Sequence, residues 1–315
     1  MILCCGEALI DMLPATAADD SACFAPCPGG AVFNTAIALG RLGVPCGLAA
    51  GLSSDMFGQR LLEALEASHV STAGCVISAR PSTLAFVTLE HGEARYAFYD
   101  ENTAGRMLAP QDLPQPGPET AVLFFGGISL ACEPAAEAFE TLALQSHAER
   151  LVMLDPNIRP AFITEEARYR RRLERMLAVS DIVKLSEDDL GWLLPGTEPA
   201  TDKLARVQAM GPPVVVLTRG SKGAAALLPG GGLVQVPARP APAAASGAGD
   251  TVGAGDSFNA GFLAALAPDG KASKQAARSL TPEAAEAALH HGAAVAAVTV
   301  SRSGANPPWQ HELDL

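Results

Sequence analysis

Residues 249–258 read "GDTVGAGDSF" and run directly into "NAGFLAAL" (259–266). Phe258, Phe262 and Leu266 recur at i, i+4 and i+8, which predicts a helix whose mouth is the glycine-rich loop. The first amides of a helix lack partners, and the dipole's positive end lies there too, so the loop is a ready anion site. Gly253 and Gly255 let phosphate oxygens approach the backbone, with Ala254 between them. Taken alone, Asp256 is an acid in a first helical turn, where acids are commonly favoured. Beside an anion site it gains a second reading. A hydroxyl between the carboxylate and a bound phosphate would lose its proton to Asp256 while attacking phosphorus.

Upstream, the apolar runs at 1–10, 45–52, 121–128, 150–157, 180–186 and 213–220 each end in small or polar residues, as buried parallel strands do. Helix-like stretches at 34–42, 57–67, 134–149, 164–178, 187–194 and 200–210 alternate with them. That alternation predicts a doubly wound α/β fold with a mostly parallel sheet and helices on both faces. Ligands are then expected just past the carboxyl ends of the strands. Two segments break the pattern. "LAFVTLEHGEARYAFYDE" (84–101) reads as a β-hairpin turning at His91 and Gly92, with Phe86 and Val87 facing Tyr96 and Phe98. Residues 12–33 are irregular and rich in Pro, Ala and Gly. Together, about 12–33 and 81–104 are expected to form a small β-sheet lid within a single domain spanning 1–315.

Composition narrows the function classes. A formal net charge of −12 opposes nucleic-acid backbones and anionic membranes. The arginines of "RYRRRLER" (168–175) read as a solvated helix face. Seven scattered cysteines form no disulfide framework, and the Cys23–Cys27 spacing has no second ligand pair to make a zinc site. The opening "MILCCGEALIDML" carries no basic leader, and no apolar run is long enough to span a bilayer, so a reduced cytoplasm is expected.

"DTVGAGDSF" resembles the C-terminal signature of the ribokinase-like (PfkB) carbohydrate kinases, and the resemblance extends over nearly the full chain. "GEALID" (6–11) is similar to the family's first strand, whose terminal acid, here Asp11, binds sugar hydroxyls. "GGAVFNTAIALGRLG" (29–43) resembles the N-terminal signature, implying that Gly29, Gly30 and Asn34 line the sugar pocket. "GLSSDMFG" (51–58) resembles a further family turn, with Ser53 where a second glycine is usual. "TRGSKGA" (218–224) resembles the nucleotide-phosphate turn and implicates Thr218, Gly220 and Gly223. "SGAN" (303–306) resembles the closing loop beside adenine and a monovalent cation such as K⁺, which points to Asn306. The resemblance implies ATP and Mg²⁺, with Lys184 and Ser186 on the nucleotide side and Glu187, Asp189 and Asp250 as candidate metal-side acids.

One departure concerns the metal. Where the family often carries Asn-x-x-Glu, this chain has "SEDD", aligning Ser186 and Asp189; both still offer oxygen ligands. No Walker-type loop is present, and "GISLA" (127–131) misses the last glycine of a hydrolase elbow. "DPNIRP" (155–160) resembles the fructokinase and keto-deoxygluconate kinase branch, with Arg159 suited to a ketose or to an acid sugar's carboxylate. Asp100 in "FYDENTAG" stands where acid-sugar kinases place a lid Arg, which favours a neutral hexose, fructose above all. Tyr96 and Phe98 either wall the sugar or simply pack the hairpin. The expectation is an ATP-dependent kinase with Asp256 as base. Another acceptor (keto-deoxygluconate, ribose, a nucleoside), a silent sugar sensor, and a homodimer through the lid stay open.

Overall fold

Alternate residues of the central strands enter two separate cores, and this divides the helices between two faces. In the computed structural model, residues 1–90, 93–242 and 251–313 are described, with side chains except at 88–96. The strands are β1 (Ile2–Cys5), β2 (Leu9–Thr16), β3 (Ala22–Gly29), β4 (Cys46–Ala49), β5 (Gly51–Ser53), β6 (Val76–Ser78), β7 (Leu84–Glu90), β8 (Glu93–Tyr99), β9 (Val122–Gly126), β10 (Leu151–Asp155), β11 (Ile182–Ser186), β12 (Val214–Thr218), β13 (Ala224–Leu227) and β14 (Leu233–Val236). The helices are α1 (Ala31–Arg41), α2 (Met56–Ala67), α3 (Ala135–Ser146), α4 (Glu166–Val179), α5 (Glu187–Leu193), α6 (Ala200–Gln208), α7 (Ala254–Leu266), α8 (Lys274–Arg278) and α9 (Pro282–Val300).

The eight-stranded central sheet has the order β14-β13-β12-β11-β10-β9-β1-β4. It is parallel from β4 to β12, and β13 and β14 add antiparallel. Cys4, Phe124 and Met153 face a core shared with α1, α7 and α9, while Cys5, Phe125 and Leu154 face one shared with α3 and α4. Successive strand residues point to opposite faces, so runs apolar at every position are what such a sheet requires. The chain reverses its direction of winding between β1 and β9, the switch point at which doubly wound sheets open a crevice.

A second sheet, ordered β3-β2-β7-β8, stands apart from the first. Its hairpin pairs Val87 with Tyr96, while Phe86 faces Ala97 and Phe98 faces Ala85. The turn at 91–92 lies outside the described residues.

One arginine of α4 departs from the expected solvated face, while Arg168, Arg170, Arg171 and Arg175 stay half-buried or exposed. Arg172 is 2% exposed and donates to Glu140 Oε2 (3.0 Å), Glu133 Oε1 (2.5 Å) and the Leu130 carbonyl (3.1 Å). The expectation counted charges along the chain, whereas the acids that draw Arg172 inward sit on and before α3.

Candidate active site

A cavity of about 520 Å³ opens over the switch point, walled by residues just past β1, β9, β10, β11 and β12, by the start of α7, and by Asp11 and Phe98 of the second sheet. Asp256 is 6% exposed in the first turn of α7. Its Oδ2 accepts from Asn34 Nδ2 at 2.9 Å and its Oδ1 from Asn157 Nδ2 at 3.4 Å. Burial pushes its carboxyl up to about 7; Asp155 and Glu7 add to that push, while the Asn34 amide and the Lys184 ammonium oppose it. A carboxyl poised near neutrality suits a general base.

Gly253 caps α7 in a left-handed conformation (φ +74°), and a Cβ there would meet Ala305. The loop 303–306 therefore packs against the glycine turn, a contact that only a residue without a side chain permits. Gly253 and Gly255 line the cavity, and Ala254 between them begins the helix.

Beneath the turn lies Lys184, which is 3% exposed. Its Nζ donates to Asp155 Oδ2 at 2.9 Å, and that oxygen also accepts from Asn259 Nδ2 at 2.7 Å. Burial disfavours the ammonium, but Asp155, Asp189 and Asp256 outweigh it, so its pKa lies above the ordinary lysine value. An ammonium has three donors, and among the described residues Lys184 spends one, on Asp155, while lining the cavity.

On the opposite wall, burial raises the Asp11 carboxyl to about 6. Gly29 sits against it, since a Cβ at that position would meet Asp11 Oδ2. Glu7, which the motif reading passed over, accepts from the N–H groups of Ala31 (3.0 Å) and Ser129 (3.2 Å), tying the start of α1 to the turn after β9. Its residue type marks it as an acid, but its partners lie 24 and 122 positions away, which no local pattern signals. Gly30, Asn34 and Thr218 line the cavity as well. Arg159 also does so, with no acidic partner among the described residues. Phe98 lines it too and packs edge-on against Phe162, ring centroids 4.1 Å apart.

Several expected positions fall elsewhere. Glu187 turns from the cavity to Lys222 at 3.2 Å, because consecutive positions in a helical turn diverge; its neighbour Asp188 faces the cavity instead. Ser186 and Asp189 do line the cavity, but they are spent on capping α5 reciprocally, and Asp189 Oδ1 also accepts from the Ile158 N–H at 2.7 Å. Asn306 Oδ1 is taken by Arg41 at 2.7 Å. Gly220 and Gly223 shape the turn between β12 and β13 without lining the cavity. Asp100 is held bidentately by Arg106 at 2.9 Å and is absent from the wall, so the argument from its charge to a neutral sugar has no geometric footing. The Tyr96 side chain and Asp250 lie outside the described residues.

The geometry is that of a polar crevice at the switch point of a doubly wound sheet, with a helix opening onto it, and comparison with known proteins gives the class. Residues 1–312 match the family model described as pfkB family carbohydrate kinase, and the chain belongs to that family. It is 47% identical over 285 residues to a fructokinase of Rhizobium leguminosarum bv. trifolii, covering 90% of this chain and 85% of that protein. It is 35% identical over 269 residues to a fructokinase of Klebsiella pneumoniae, covering 84% of each. Among solved structures, the fructokinase with bound ATP from Xylella fastidiosa aligns with a TM-score of 0.86 at 28% identity, over 96% of this chain and 93% of that one. No helix among the described residues is long and apolar enough to cross a membrane.

Proposed function

We propose that the chain is an ATP-dependent fructokinase that transfers the γ-phosphoryl group to the primary 6-hydroxyl of fructose. The observation that carries the reading is Asp256: buried, held by amides, and set in the first turn of a helix whose opening glycines, Gly253 and Gly255, line the same cavity. The sugar lies between the sheet edge and the second sheet, against Asp11, Gly30, Asn34 and Arg159, with Gly29 leaving room for the Asp11 carboxylate. Asp256 takes the hydroxyl proton as the oxygen attacks phosphorus in line. The amides of Gly253 and Gly255 hold the charge gathering on the transferred group and Lys184 adds to them, whereas the Ala254 N–H, expected as a third donor, is taken by the Thr251 carbonyl at 3.3 Å. ATP lies toward Thr218 and the turn through Gly223, with the 303–306 loop, Asn306 included, closing the adenine side.

The donor set fits Mg²⁺, which keeps several waters and takes one or two carboxylates alongside substrate phosphates. Asp188 supplies an exposed carboxylate on the wall with no partner among the described residues, whereas the oxygens of Asp189 and Glu187 are already bonded. Bound there, the ion would neutralise phosphate charge. The second sheet acts as a lid that excludes water, with Phe98 packed on Phe162 at the cavity side. Its exposed aromatics, Phe24 (42%) and Tyr99 (62%), meet Phe86 edge-on and suit a lid-mediated homodimer, which sedimentation would register as a doubled mass.

An ADP-release assay over a panel of fructose, ribose, nucleosides and keto-deoxygluconate tests the assignment. Arg159, on the wall with no acidic partner among the described residues, is the reason to include the acid sugar. Fructose should give the highest kcat/KM, and ATP turnover without sugar should be far below the kinase rate. A faster reaction with another acceptor overturns the substrate, and sugar binding without phosphorylation under Mg-ATP overturns the enzyme.

A further inference from the structure

Asn157 adopts a left-handed backbone, φ +43°, one of four non-glycine residues with positive φ among the described residues. Such conformations persist where surrounding contacts over-determine them, and they gather at functional sites. Here the contacts are explicit. The Asn157 N–H donates to Asp155 Oδ1 at 3.2 Å, and the next N–H, of Ile158, donates to Asp189 Oδ1 at 2.7 Å. Asp189 is itself fixed, since its Oδ2 accepts from the Ser186 N–H (2.8 Å) and from Ser186 Oγ (2.6 Å). The turn so held presents the Asn157 side-chain amide to Asp256 Oδ1 at 3.4 Å, while Asn34 donates to the other carboxylate oxygen at 2.9 Å.

We propose that Asn157 is a positioning residue for Asp256, and that Asp189 serves the reaction by holding the turn that presents it. The two amides grip one carboxylate oxygen each, so the base keeps a single orientation toward the incoming hydroxyl. The 3.4 Å contact is long for a hydrogen bond, and contacts of this kind tighten when substrate completes the site. Asp189 stands where the metal-side acid was expected. Three donors already occupy its oxygens, and its Ile158 contact makes it a brace for Asn157. The inference rests on the reading of Asp256 as the base.

An amide that donates to a carboxylate favours its ionised form, so removing one moves the titration of the base to higher pH. The charged groups nearest Asp256 are Asp155, Lys184 and Glu7. Asp11, Arg159, Asp188 and Asp189 complete the charged wall. All of these are retained when Asn157 alone is changed, so a difference in the acid limb belongs to that amide.

The test is kcat and KM for fructose and Mg-ATP across pH 5–9 in N157G, N157D, D189N and D256N. Glycine adopts the left-handed backbone freely and deletes only the amide. N157G should lower kcat roughly 10-fold or more, keep the Mg-ATP KM near the wild-type value, and move the acid limb of kcat upward. N157D, which keeps the shape but sets a second carboxylate against Asp256, should move that limb further. D189N should move it in the same direction. If N157G and N157D keep the wild-type acid limb and kcat within about twofold, the positioning role is overturned. An unshifted limb in D189N with a raised Mg-ATP KM overturns the brace and returns Asp189 to the metal. D256N separates the two levels: inactive D256N beside unaltered N157G sinks only the clamp, whereas active D256N sinks the base itself.

Discussion

Lys184 Nζ, midway along β11, and Asp155 Oδ2, at the end of the adjacent parallel strand β10, lie 2.9 Å apart, with side chains 4% and 1% exposed. A pair this deep recovers its desolvation only through good geometry and further bonds, and Asn259 supplies one of them. It also sets a fixed positive charge under the glycine turn of α7, because a Cβ on Gly255 would come within 3.2 Å of that Nζ. The arrangement serves a site that must receive several phosphate charges among acidic side chains.

Breaking this pair should damage stability and turnover together. Lys184→Met leaves Asp155 buried without its counter-charge and should cost about 3 kcal/mol in urea unfolding. Asp155→Asn should cost less, because Asn keeps one oxygen for the Asn259 donor, although its NH₂ group then faces the Asn157 N–H. The double variant should lose less than the sum of the singles, a coupling a double-mutant cycle reads directly. Additive losses would show that the contact contributes nothing as a pair.

Asp256 should exchange stability for activity. Its carboxyl is raised by burial to about 7 from 3.8, so between those values the folded chain holds a proton the unfolded chain has released. Stability therefore falls as pH rises through that window, and the loss is complete above about 7. The interval sets a ceiling of roughly 4 kcal/mol. Asp256→Asn, neutral at every pH, escapes the loss but turns an NH₂ group toward one of the two donor amides. It should be about 1–3 kcal/mol more stable than wild type at pH 8, with the gap closing toward pH 4 and turnover down ~10²-fold or more. Equal urea midpoints at both pH values would place the carboxyl in an ordinary solvated state.

Much of the cavity wall was legible because its residues are contiguous: the helix mouth, Asp256 and the glycines occupy one short stretch, and Asn34 and Asp11 lie in two others. The unread part is pairwise. Neither the Lys184–Asp155 contact nor Glu7 bridging α1 to the turn after β9 leaves a local trace, because each forms only when separate strands align. In the fold, the parallel strands announce themselves by β-branched and aliphatic runs. Strand β13, "AAAL", lacks β-branched residues and takes its extended form from pairing with β12. Strand β3 carries two prolines, so it reads as irregular although it pairs with β2 throughout. Helix α9 is rich in alanine along its whole length, with no sharp polar face to give a helical period.

The arginines of α4 should differ sharply despite lying in one run. Arg172, 3% exposed and bonded to two glutamates and a carbonyl, secures α4 to α3. Arg172→Met should cost about 3–5 kcal/mol, because Glu140 is left buried. Arg175 also pairs with Glu140, but its side chain is 48% exposed, so Arg175→Ala should cost ~1 kcal/mol or less. Chemical denaturation of the two variants checks the contrast, and similar losses would mean that burial does not govern this network.

Gly29→Ala should separate sugar binding from nucleotide binding. Gly29 ends β3 opposite Leu9 in an extended conformation, so its backbone tolerates a side chain and the restriction comes from its neighbour. That neighbour is the Asp11 carboxylate, whose Oδ2 occupies the space a Cβ would take. The added methyl must push the carboxylate off its present position on the cavity wall, while Thr218 and the α7 turn, on other elements, stay as they are. Fructose KM should therefore rise roughly 10-fold or more, the scale of one well-placed hydrogen bond to a charged group, with the ATP KM unchanged. If fructose KM stays at the wild-type value, Asp11 does not hold the sugar; if ATP KM rises in step, the substitution has disturbed the whole crevice rather than one wall of it.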